Sequence, residues 1–232
     1  MYFYRSKKYD TMNQIAQNIN ELRSYIPSHV KIIAVSKTKT VPKIREAMDA
    51  GQFFFGESKV QELLEKHKQI PDAQWHLIGH LQTNKVKYIA SFVQMIHSVD
   101  SLRLIQEVDC QANKHNRIID CLLQIHIACE ETKYGFSEQE IIGFLETDAL
   151  QTLKNVRICG LMGIATYTTD TEVVRKEFRR LSNFFQLIRS EYFLNAPSFC
   201  ELSMGMSDDY PVAIEEGSTM VRIGSLIFGE RP

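Results

Sequence analysis

The feature that most constrains the fold of this chain is a repeated pair, in which a short apolar run is followed by an amphipathic helical stretch. The pair recurs about every 25 residues. The runs are almost continuously apolar rather than alternating, which is typical of strands buried on both faces of a parallel sheet. Eight candidate strands follow one another from Ile32 onward, at 32–35, 53–55, 75–78, 95–99, 121–128, 156–165, 199–203 and 220–223.

Eight such units in 232 residues predict an α/β fold, a single (β/α)₈ TIM barrel. A doubly wound open sheet is the alternative, but it seldom needs eight strand–helix units in so short a chain. Ahead of the first strand, an apolar stripe at helical spacing indicates an extra N-terminal helix within residues 1–28 that packs on the barrel. We expect one domain over residues 1–232. The stripe is formed by Ile15, Ile19, Leu22 and Ile26.

Charge and cysteine usage narrow the function classes. Lys and Arg number 27 and Asp and Glu 28, for a net charge of −1, which argues against nucleic acid as a partner. The N-terminus lacks the apolar run of a signal peptide, and no 18 consecutive apolar residues occur, so we expect a cytoplasmic protein without membrane association. The five cysteines have no zinc-ligand spacing, which predicts reduced thiols and no metal site.

In a TIM barrel the working face is formed by the C-terminal ends of the strands and the loops after them. Lys37 closes the first strand, where alternation would direct its side chain into the barrel mouth. Burial lowers the pKa of an amine, and a neutral amine can attack an aldehyde to form a Schiff base. The alternative is an exposed lysine at a strand-to-loop junction, and Lys39, two residues on, competes for the same role.

Small residues end the last two predicted strands. The segment from Ser203 to Ser207 and the pair Gly224-Ser225 would let backbone N–H groups approach an anion, and barrels often bind phosphate there. Ordinary tight turns are the alternative. Arg222 lies inside the eighth run, where a permanent charge needs either a carboxylate in a buried ion pair or a ligand. The position of Arg222 beside Gly224-Ser225 favours a ligand.

Other polar groups indicate structure rather than chemistry. His76 and His80 flank a strand end, so they do not share a helix face as two metal ligands would. Asp208 and Asp209 precede Pro211 and indicate the N-terminus of a helix. A barrel lysine with a phosphate site would equally serve a Schiff-base aldolase acting on a phosphorylated sugar, and the residues alone leave that reading open.

Eight motifs are distributed over nearly the whole chain. Through them the chain resembles the YggS/PROSC family of pyridoxal-phosphate homeostasis proteins. So many motifs in the same order make the match specific. They are IIAVSKTK (32–39), FGESKVQE (55–62), WHLIGHLQTNK (75–85), SVDS (98–101), KYGF (133–136), GLMGIA (160–165), LSMGMSDD (202–209) and GSTMVRIGSLIFGER (217–231).

The resemblance implies a barrel like the N-terminal domain of alanine racemase, with pyridoxal 5′-phosphate (PLP) as cofactor, held as a Schiff base on Lys37. By motif match, Ser203, Gly224 and Ser225 correspond to the phosphate-binding segments, and Arg222 to the arginine that faces the pyridine nitrogen. No catalytic residue and no metal ligand are implied. Where the family commonly has Asn after the FGE motif, this chain has Ser58, whose hydroxyl can still donate and accept one hydrogen bond.

An arginine opposite the pyridine nitrogen would leave that nitrogen neutral and the ring a poor electron sink. Alanine racemase also uses a base from a second domain, which we do not expect in a chain that ends at Pro232. The resemblance therefore implies a PLP-binding protein of intracellular PLP homeostasis without catalytic turnover. We expect a monomer whose possible partners are apo PLP-dependent enzymes. A weak PLP-dependent amino-acid racemase and the phospho-sugar aldolase are the alternative functions.

Overall fold

The computed structural model describes residues 13–130, 134–147 and 152–230. Within these ranges, eight parallel strands close into a barrel in which each strand pairs with its neighbours in chain order. The predicted TIM barrel is confirmed. The strands are β1 (Lys31–Val35), β2 (Phe54–Glu57), β3 (Gln74–Leu77), β4 (Met95–Val99), β5 (Ile119–Ile125), β6 (Val156–Gly163), β7 (Glu201–Met206) and β8 (Met220–Ile223).

All eight strands lie where they are predicted, and the differences concern the residues at which some of them begin or end. Burial alone does not define a strand. β5 ends at Ile125, although the apolar run continues and Ile127 is buried in the loop that follows. β7 begins at Glu201, two residues later than predicted. Phe199, at the predicted start, is instead stacked on the ring of Phe193, with 4.2 Å between the ring centroids.

Helices occupy most of the connections, and the third connection differs from the prediction. The sequence predicts an α-helix through Val86, Ile89 and Val93, but the structure has a 3₁₀ helix at Thr83–Tyr88. The three-residue step between Val86 and Ile89 suits three residues per turn, and all three apolar side chains are still buried. The α-helices are α1 (Gln14–Tyr25), α2 (Val41–Asp49), α3 (Val60–Gln69), α4 (Leu102–Lys114), α5 (Glu138–Leu145), α6 (Thr171–Tyr192), α7 (Tyr210–Glu215) and α8 (Ser225–Phe228).

The N-terminal helix α1 packs on the outside of the barrel against α2 and α8. Its apolar stripe, Ile15, Ile19 and Leu22, is buried. Asn18 Nδ2 donates a hydrogen bond to the carbonyl oxygen of Ile227 at 3.0 Å, which ties the first helix to the last. Residues 1–12 of the expected 1–28 segment lie outside the described residues, as do Lys133 and Arg231 of two motifs.

The apolar core has two parts, one between the strands and the surrounding helices and one inside the barrel. The smaller, inner cluster consists of Ile33, Met95, Leu122, Cys159, Met162 and Met220. In the part of the chain that the structure describes, no helix is both long and apolar enough to cross a membrane.

Candidate functional site

A cavity of about 660 Å³ opens among the residues that follow the strands. Most of its polar wall comes from the ends of β1, β2, β7 and β8, and its apolar wall includes Val35, Ile78 and Ile164. A cavity of this size and mixed lining is typical of a small-molecule site. The charged and polar side chains that line it belong to Lys37, Lys39, Ser58, Tyr167, Ser207, Asp208, Arg222, Ser225 and Glu230.

Lys37 lies in the turn after β1 and is half-buried on the cavity wall. β1 ends at Val35, so Lys37 lies two residues beyond the strand rather than closing it as predicted, but it still lines the cavity together with Val35. Thr38 follows with a φ of 65°, a left-handed conformation that is unusual for a β-branched residue. The turn therefore presents Lys37 at the barrel mouth, as alternation predicts.

Lys39 lies in a different environment. Its Nζ donates hydrogen bonds to the carbonyl oxygens of Gly229 at 2.8 Å and Glu230 at 2.9 Å. These bonds fasten the end of β1 to the segment after α8. The structure thus gives Lys39 an anchoring role, which favours Lys37 as the reactive amine.

Arg222 enters the cavity from β8 and is 4% exposed. Its Nη1 donates to the carbonyl oxygen and to Oγ of Ser203, and its Nη2 donates to the carbonyl oxygen of Gly163. No carboxylate forms an ion pair with it among the described residues, so the buried ion pair weighed above is not what holds it. These bonds use three of five guanidinium N–H groups, which leaves two that can donate to a ligand.

Ser203 lies below the cavity and is fully buried. Its Oγ accepts the 2.7 Å bond from Arg222 Nη1 and lies 3.0 Å from His97 Nδ1. The Nε2 atom of His97 lies 2.8 Å from Nδ1 of His76. Arg222, Ser203, His97 and His76 therefore form a continuous polar column inside the barrel. His76 Nε2, at its far end, is buried without a hydrogen-bond partner among the described residues.

The charge of this column is concentrated on Arg222. Burial lowers the pKa of His76 to about 3, and burial together with the nearby His76 and Arg222 holds the pKa of His97 well below its ordinary value. Both imidazoles are therefore neutral at neutral pH. Burial also lowers the pKa of Arg222, to about 10, which still leaves the guanidinium charged. The cavity floor thus carries one positive charge held by neutral partners.

Of the residues predicted to bind phosphate, the structure brings only some together on the cavity wall. Gly224 and Ser225 line the cavity beside Ser207, and the Gly224 N–H donates to Ser207 Oγ at 3.2 Å. Ser203 is not among the lining residues, since its hydroxyl is engaged in the polar column. Its role as a phosphate ligand stays a prediction, and Ser207 is the serine of the same segment that lies on the cavity wall.

Ser58 also lines the cavity, and its position depends on Gly79 after β3. A Cβ atom on Gly79 would lie 2.4 Å from the carbonyl oxygen of Ser58 and 2.8 Å from its Cα. Two strand ends can approach this closely only because Gly79 has no side chain. The segment IGH at 78–80 thus helps to shape the wall as well as to end a strand.

A smaller cavity of about 280 Å³ adjoins the main one and shares Ile78, Gly79 and Ile164 with it. His80 lies in it, with Nδ1 2.8 Å from Asp100 Oδ2 and its ring stacked on Tyr134. His76 is thus a buried histidine bonded to His97, and His80 is paired with Asp100. His76 belongs to the polar column and His80 to the rim.

Sequence reasoning missed two features of the site. His97 is a fully buried polar residue within the apolar run of β4, and that contrast was the signal that could have indicated it. Tyr167 lines the cavity from the loop after β6 and is 88% exposed. No sequence pattern distinguishes Tyr167 from an ordinary surface residue.

Comparison with known proteins gives one consistent result. The family model described as the N-terminal domain of alanine racemase matches residues 11–232. A pyridoxal phosphate homeostasis protein of Aquifex aeolicus is 42% identical over 203 residues, which are 87% of each chain. The protein of the same name from Escherichia coli K12 is 36% identical over 95% of this chain and 98% of its own.

Solved structures agree. PipY of Synechococcus elongatus PCC7942, determined without PLP, superposes with a TM-score of 0.85 at 37% identity, covering 93% of this chain and 100% of PipY. PipY with PLP bound gives 0.83 at 36% identity over the same shares. Alanine racemase of Bacillus anthracis gives 0.71 at 19% identity over 95% of this chain and 57% of its own, a likeness that concerns the fold alone.

Proposed function

The chain belongs to the alanine racemase N-terminal domain family, and on that basis we propose that it binds PLP in the barrel-mouth cavity and acts in intracellular PLP homeostasis. Its relatives named for this role match it over most of their length, and PipY has been determined with PLP bound. The observation that carries the proposal is the cavity itself, which joins an amine, a buried guanidinium and serine hydroxyls in one small-molecule site.

The residues present fit the cofactor group by group. PLP has an aldehyde, a pyridine nitrogen and a phosphate. Lys37 supplies an amine for the aldehyde, and Arg222 has two N–H groups left, one of which can donate to the nitrogen. Ser207, Gly224 and Ser225 lie together on the wall and suit the phosphate as neutral hydrogen-bonding partners. Ser58, on the wall after β2, offers a hydroxyl in place of the amide common in the family.

We propose that Lys37 holds the aldehyde covalently, as a Schiff base. Lys37 and Lys39 both line the cavity, but Lys37 is the lysine that matches the family motif, and the Nζ of Lys39 ties the end of β1 to the carbonyl oxygens after α8. Ser203 acts through Arg222, because its carbonyl and hydroxyl oxygens both accept from that guanidinium. The placement of Ser203 therefore supports a role in orienting Arg222 whether or not the serine also meets the phosphate.

We further propose that the bound cofactor does not turn over a substrate. When bound, PLP supplies an aldehyde and a ring that withdraws electrons best when its nitrogen is protonated. The charged Arg222 donates at that position and disfavours a further proton there. The two histidines and the serine of the polar column behind it are neutral, so the column adds no negative charge that would reverse this effect. The site is suited to holding PLP for release to apo PLP-dependent enzymes.

The setting of this role is also part of the proposal. All five cysteines are free in the described residues, as in proteins of a reducing cytoplasm, and we place the protein there. We also propose that the protein acts as a monomer, as expected from the sequence. We take residues 1–232 as one domain, since the family model spans nearly all of them.

The absorbance spectrum of the protein purified with PLP tests this proposal, recorded before and after borohydride reduction. We expect a visible band that bleaches on reduction, with the adduct mapped to Lys37 by peptide mass spectrometry. Lys37→Ala should lack the band, and Lys39→Met should keep it. No band in the wild type would refute the cofactor site. Amino-acid racemisation that disappears in Lys37→Ala would refute the non-catalytic role.

A further inference from the structure

The turn that presents Lys37 has a conformation that needs support. Thr38 adopts a φ of 65°, and a β-branched residue in the left-handed region is strained by contacts between its side chain and its own backbone. Such strain persists only where the surroundings hold it, and it is concentrated at functional sites. The groups that bond to Ser36 and Thr38, on either side of Lys37, therefore determine where Lys37 is presented.

Two carboxylates from the FGESKVQE motif hold these neighbours. Glu57, at the end of β2, accepts a hydrogen bond from Ser36 Oγ at 2.6 Å through Oε1. Glu62, in the first turn of α3, accepts the backbone N–H of Thr38 at 2.6 Å, also through Oε1. The residue before Lys37 and the residue after it are thus bonded to carboxylates from the neighbouring strand–helix unit.

Lys66, one turn further along α3, joins the two carboxylates. Its Nζ donates to Glu57 Oε1 at 2.7 Å, to Glu62 Oε1 at 2.6 Å and to the carbonyl oxygen of Ser36 at 2.6 Å. These bonds use all three ammonium donors, and Lys66 is 6% exposed. The cluster of Glu57, Glu62 and Lys66, here called the α3 clamp, is therefore fully bonded on its cationic side.

The α3 clamp places a carboxyl group in the protein interior, which is unfavourable for stability and which packing alone would not require. Glu57 is completely buried, burial raises its pKa, and its Oε2 has no hydrogen-bond partner among the described residues. Buried ionic groups are often no more stabilising than apolar side chains of the same volume. An apolar replacement, however, could hold neither the Thr38 N–H nor the Ser36 carbonyl oxygen. The clamp therefore serves to fix the turn.

We propose that Glu62, supported by Lys66 and Glu57, is a positioning residue for Lys37, which keeps the strained turn in the conformation that directs the amine into the cavity. This inference rests on the proposed function, because it assumes that Lys37 captures the aldehyde of PLP. Glu62 acts through the backbone of Thr38 and has no direct part in the covalent step.

The experiment adds PLP to the apo-protein and follows the rate of borohydride-trapped adduct at Lys37. Glu62→Ala should capture PLP at least tenfold more slowly than the wild type. Glu62→Gln should remain within about threefold, because its amide oxygen can still accept the Thr38 N–H. Glu65→Ala, an exposed position on the same helix, is the matched control and should equal the wild type.

Two further readouts separate positioning from general destabilisation. In the apo-protein, amide hydrogen exchange at Thr38 should accelerate in Glu62→Ala but not in Glu65→Ala. In the Glu62→Ala background, Thr38→Gly should restore capture, because glycine adopts a positive φ without strain. Loss of general stability would not be repaired by removing a side chain from this turn.

The outcomes distinguish the two proposals. If the wild type is not trapped at Lys37, the proposed function fails and this inference fails with it. If the wild type is trapped but Glu62→Ala matches Glu65→Ala in rate, only the positioning role is refuted. If capture is slow in Glu62→Ala and Thr38→Gly does not restore it, the role assigned to the strained turn is wrong.

Discussion

At the scale of single residues, two lysines separated by one threonine have different surroundings. Both lysines line the cavity, but Lys37 is half-buried in the turn after β1, whereas Lys39 is buried and its Nζ donates to carbonyl oxygens after α8. An ammonium that is buried and bonded in this way contributes through charge-assisted hydrogen bonds, each of which exceeds a neutral one in strength. The same residue type therefore has the proposed binding role at one position and an anchoring role at the other.

Lys39→Met should separate these roles. We expect the free energy of unfolding to fall by about 1–3 kcal/mol, because the carbonyl oxygens of Gly229 and Glu230 lose a charged donor. PLP capture at Lys37 should persist. Urea unfolding together with borohydride trapping measures both quantities. A variant that unfolds like the wild type but no longer captures PLP would show that Lys39 belongs to the binding machinery.

The serines of the β7 segment can be separated in the same way. Ser207→Ala should weaken PLP binding by about tenfold, the equivalent of one hydrogen bond to a charged group, and leave binding of unphosphorylated pyridoxal unchanged. Ser203→Ala should instead lower stability, because Arg222 and His97 lose a partner. Fluorescence titration with both ligands measures the difference. A phosphate-selective loss in Ser203→Ala would confirm the phosphate contact that the family resemblance implies.

At the scale of elements, the site depends on how closely consecutive strand ends approach one another. β2 pairs with β3 in register from Phe54 opposite Gln74 to Glu57 opposite Leu77. Beyond the last pair, Gly79 lies against the backbone of Ser58 with no room for a Cβ atom. The wall of the cavity at this point is therefore set by strand pairing and by one missing side chain.

Gly79→Ala should displace the end of β2. The added Cβ would meet the Ser58 carbonyl oxygen at 2.4 Å, so we expect a loss of about 1–3 kcal/mol in stability and several-fold weaker PLP binding. Gly143→Ala, in the last turn of α5, is the matched control, because its Cβ would meet nothing within 4 Å. There we expect no loss in stability, or a gain of about 0.5–1 kcal/mol. Equal effects of the two changes would contradict the prediction.

At the scale of the whole molecule, the polar column links the interior of the barrel to the pH dependence of folding. The pKa of His76 falls from an ordinary value of 6.5 to about 3 because the ring is buried. The folded state therefore excludes a proton that the unfolded chain binds below pH 6.5. This contribution to stability is complete above pH 6.5 and is lost as the pH falls toward 3.

We expect the free energy of unfolding to decrease on acidification below pH 6.5, with a slope of up to about 1.4 kcal/mol per pH unit for each buried histidine. His76→Phe should reduce this slope by up to about 1.4 kcal/mol per pH unit, the equivalent of one bound proton. Burial raises the pKa of Glu57, so Glu57 changes the slope in the opposite direction. Because Glu57 is present in both proteins, its contribution cancels when the slopes of the variant and the wild type are compared. Urea titrations at several pH values measure the slopes, and an unchanged slope in His76→Phe would contradict the assignment.

Sequence patterns predicted most of the fold, because the periods of strands and helices are local properties of the chain. The eight apolar runs predicted the barrel, and the rule that strand ends form the working face indicated Lys37, Arg222, Gly224 and Ser225, all of which line the cavity. The pattern failed at the 3₁₀ helix Thr83–Tyr88, because spacings of three and four residues do not by themselves fix the helix type over a short stretch.

The sequence by itself determined the barrel, the order of its strands and the motifs that mark its mouth. Only the tertiary structure decided that Ser203 is bonded to Arg222 and His97, and that a lysine 30 residues away along the chain holds the carbonyl oxygen before Lys37. These contacts join separate strand–helix units, so they depend on strand register and on closure of the barrel. The periodicity of a sequence shows which face of a helix or strand is buried. The residues that this face contacts are determined by the closed barrel, and periodicity does not identify them.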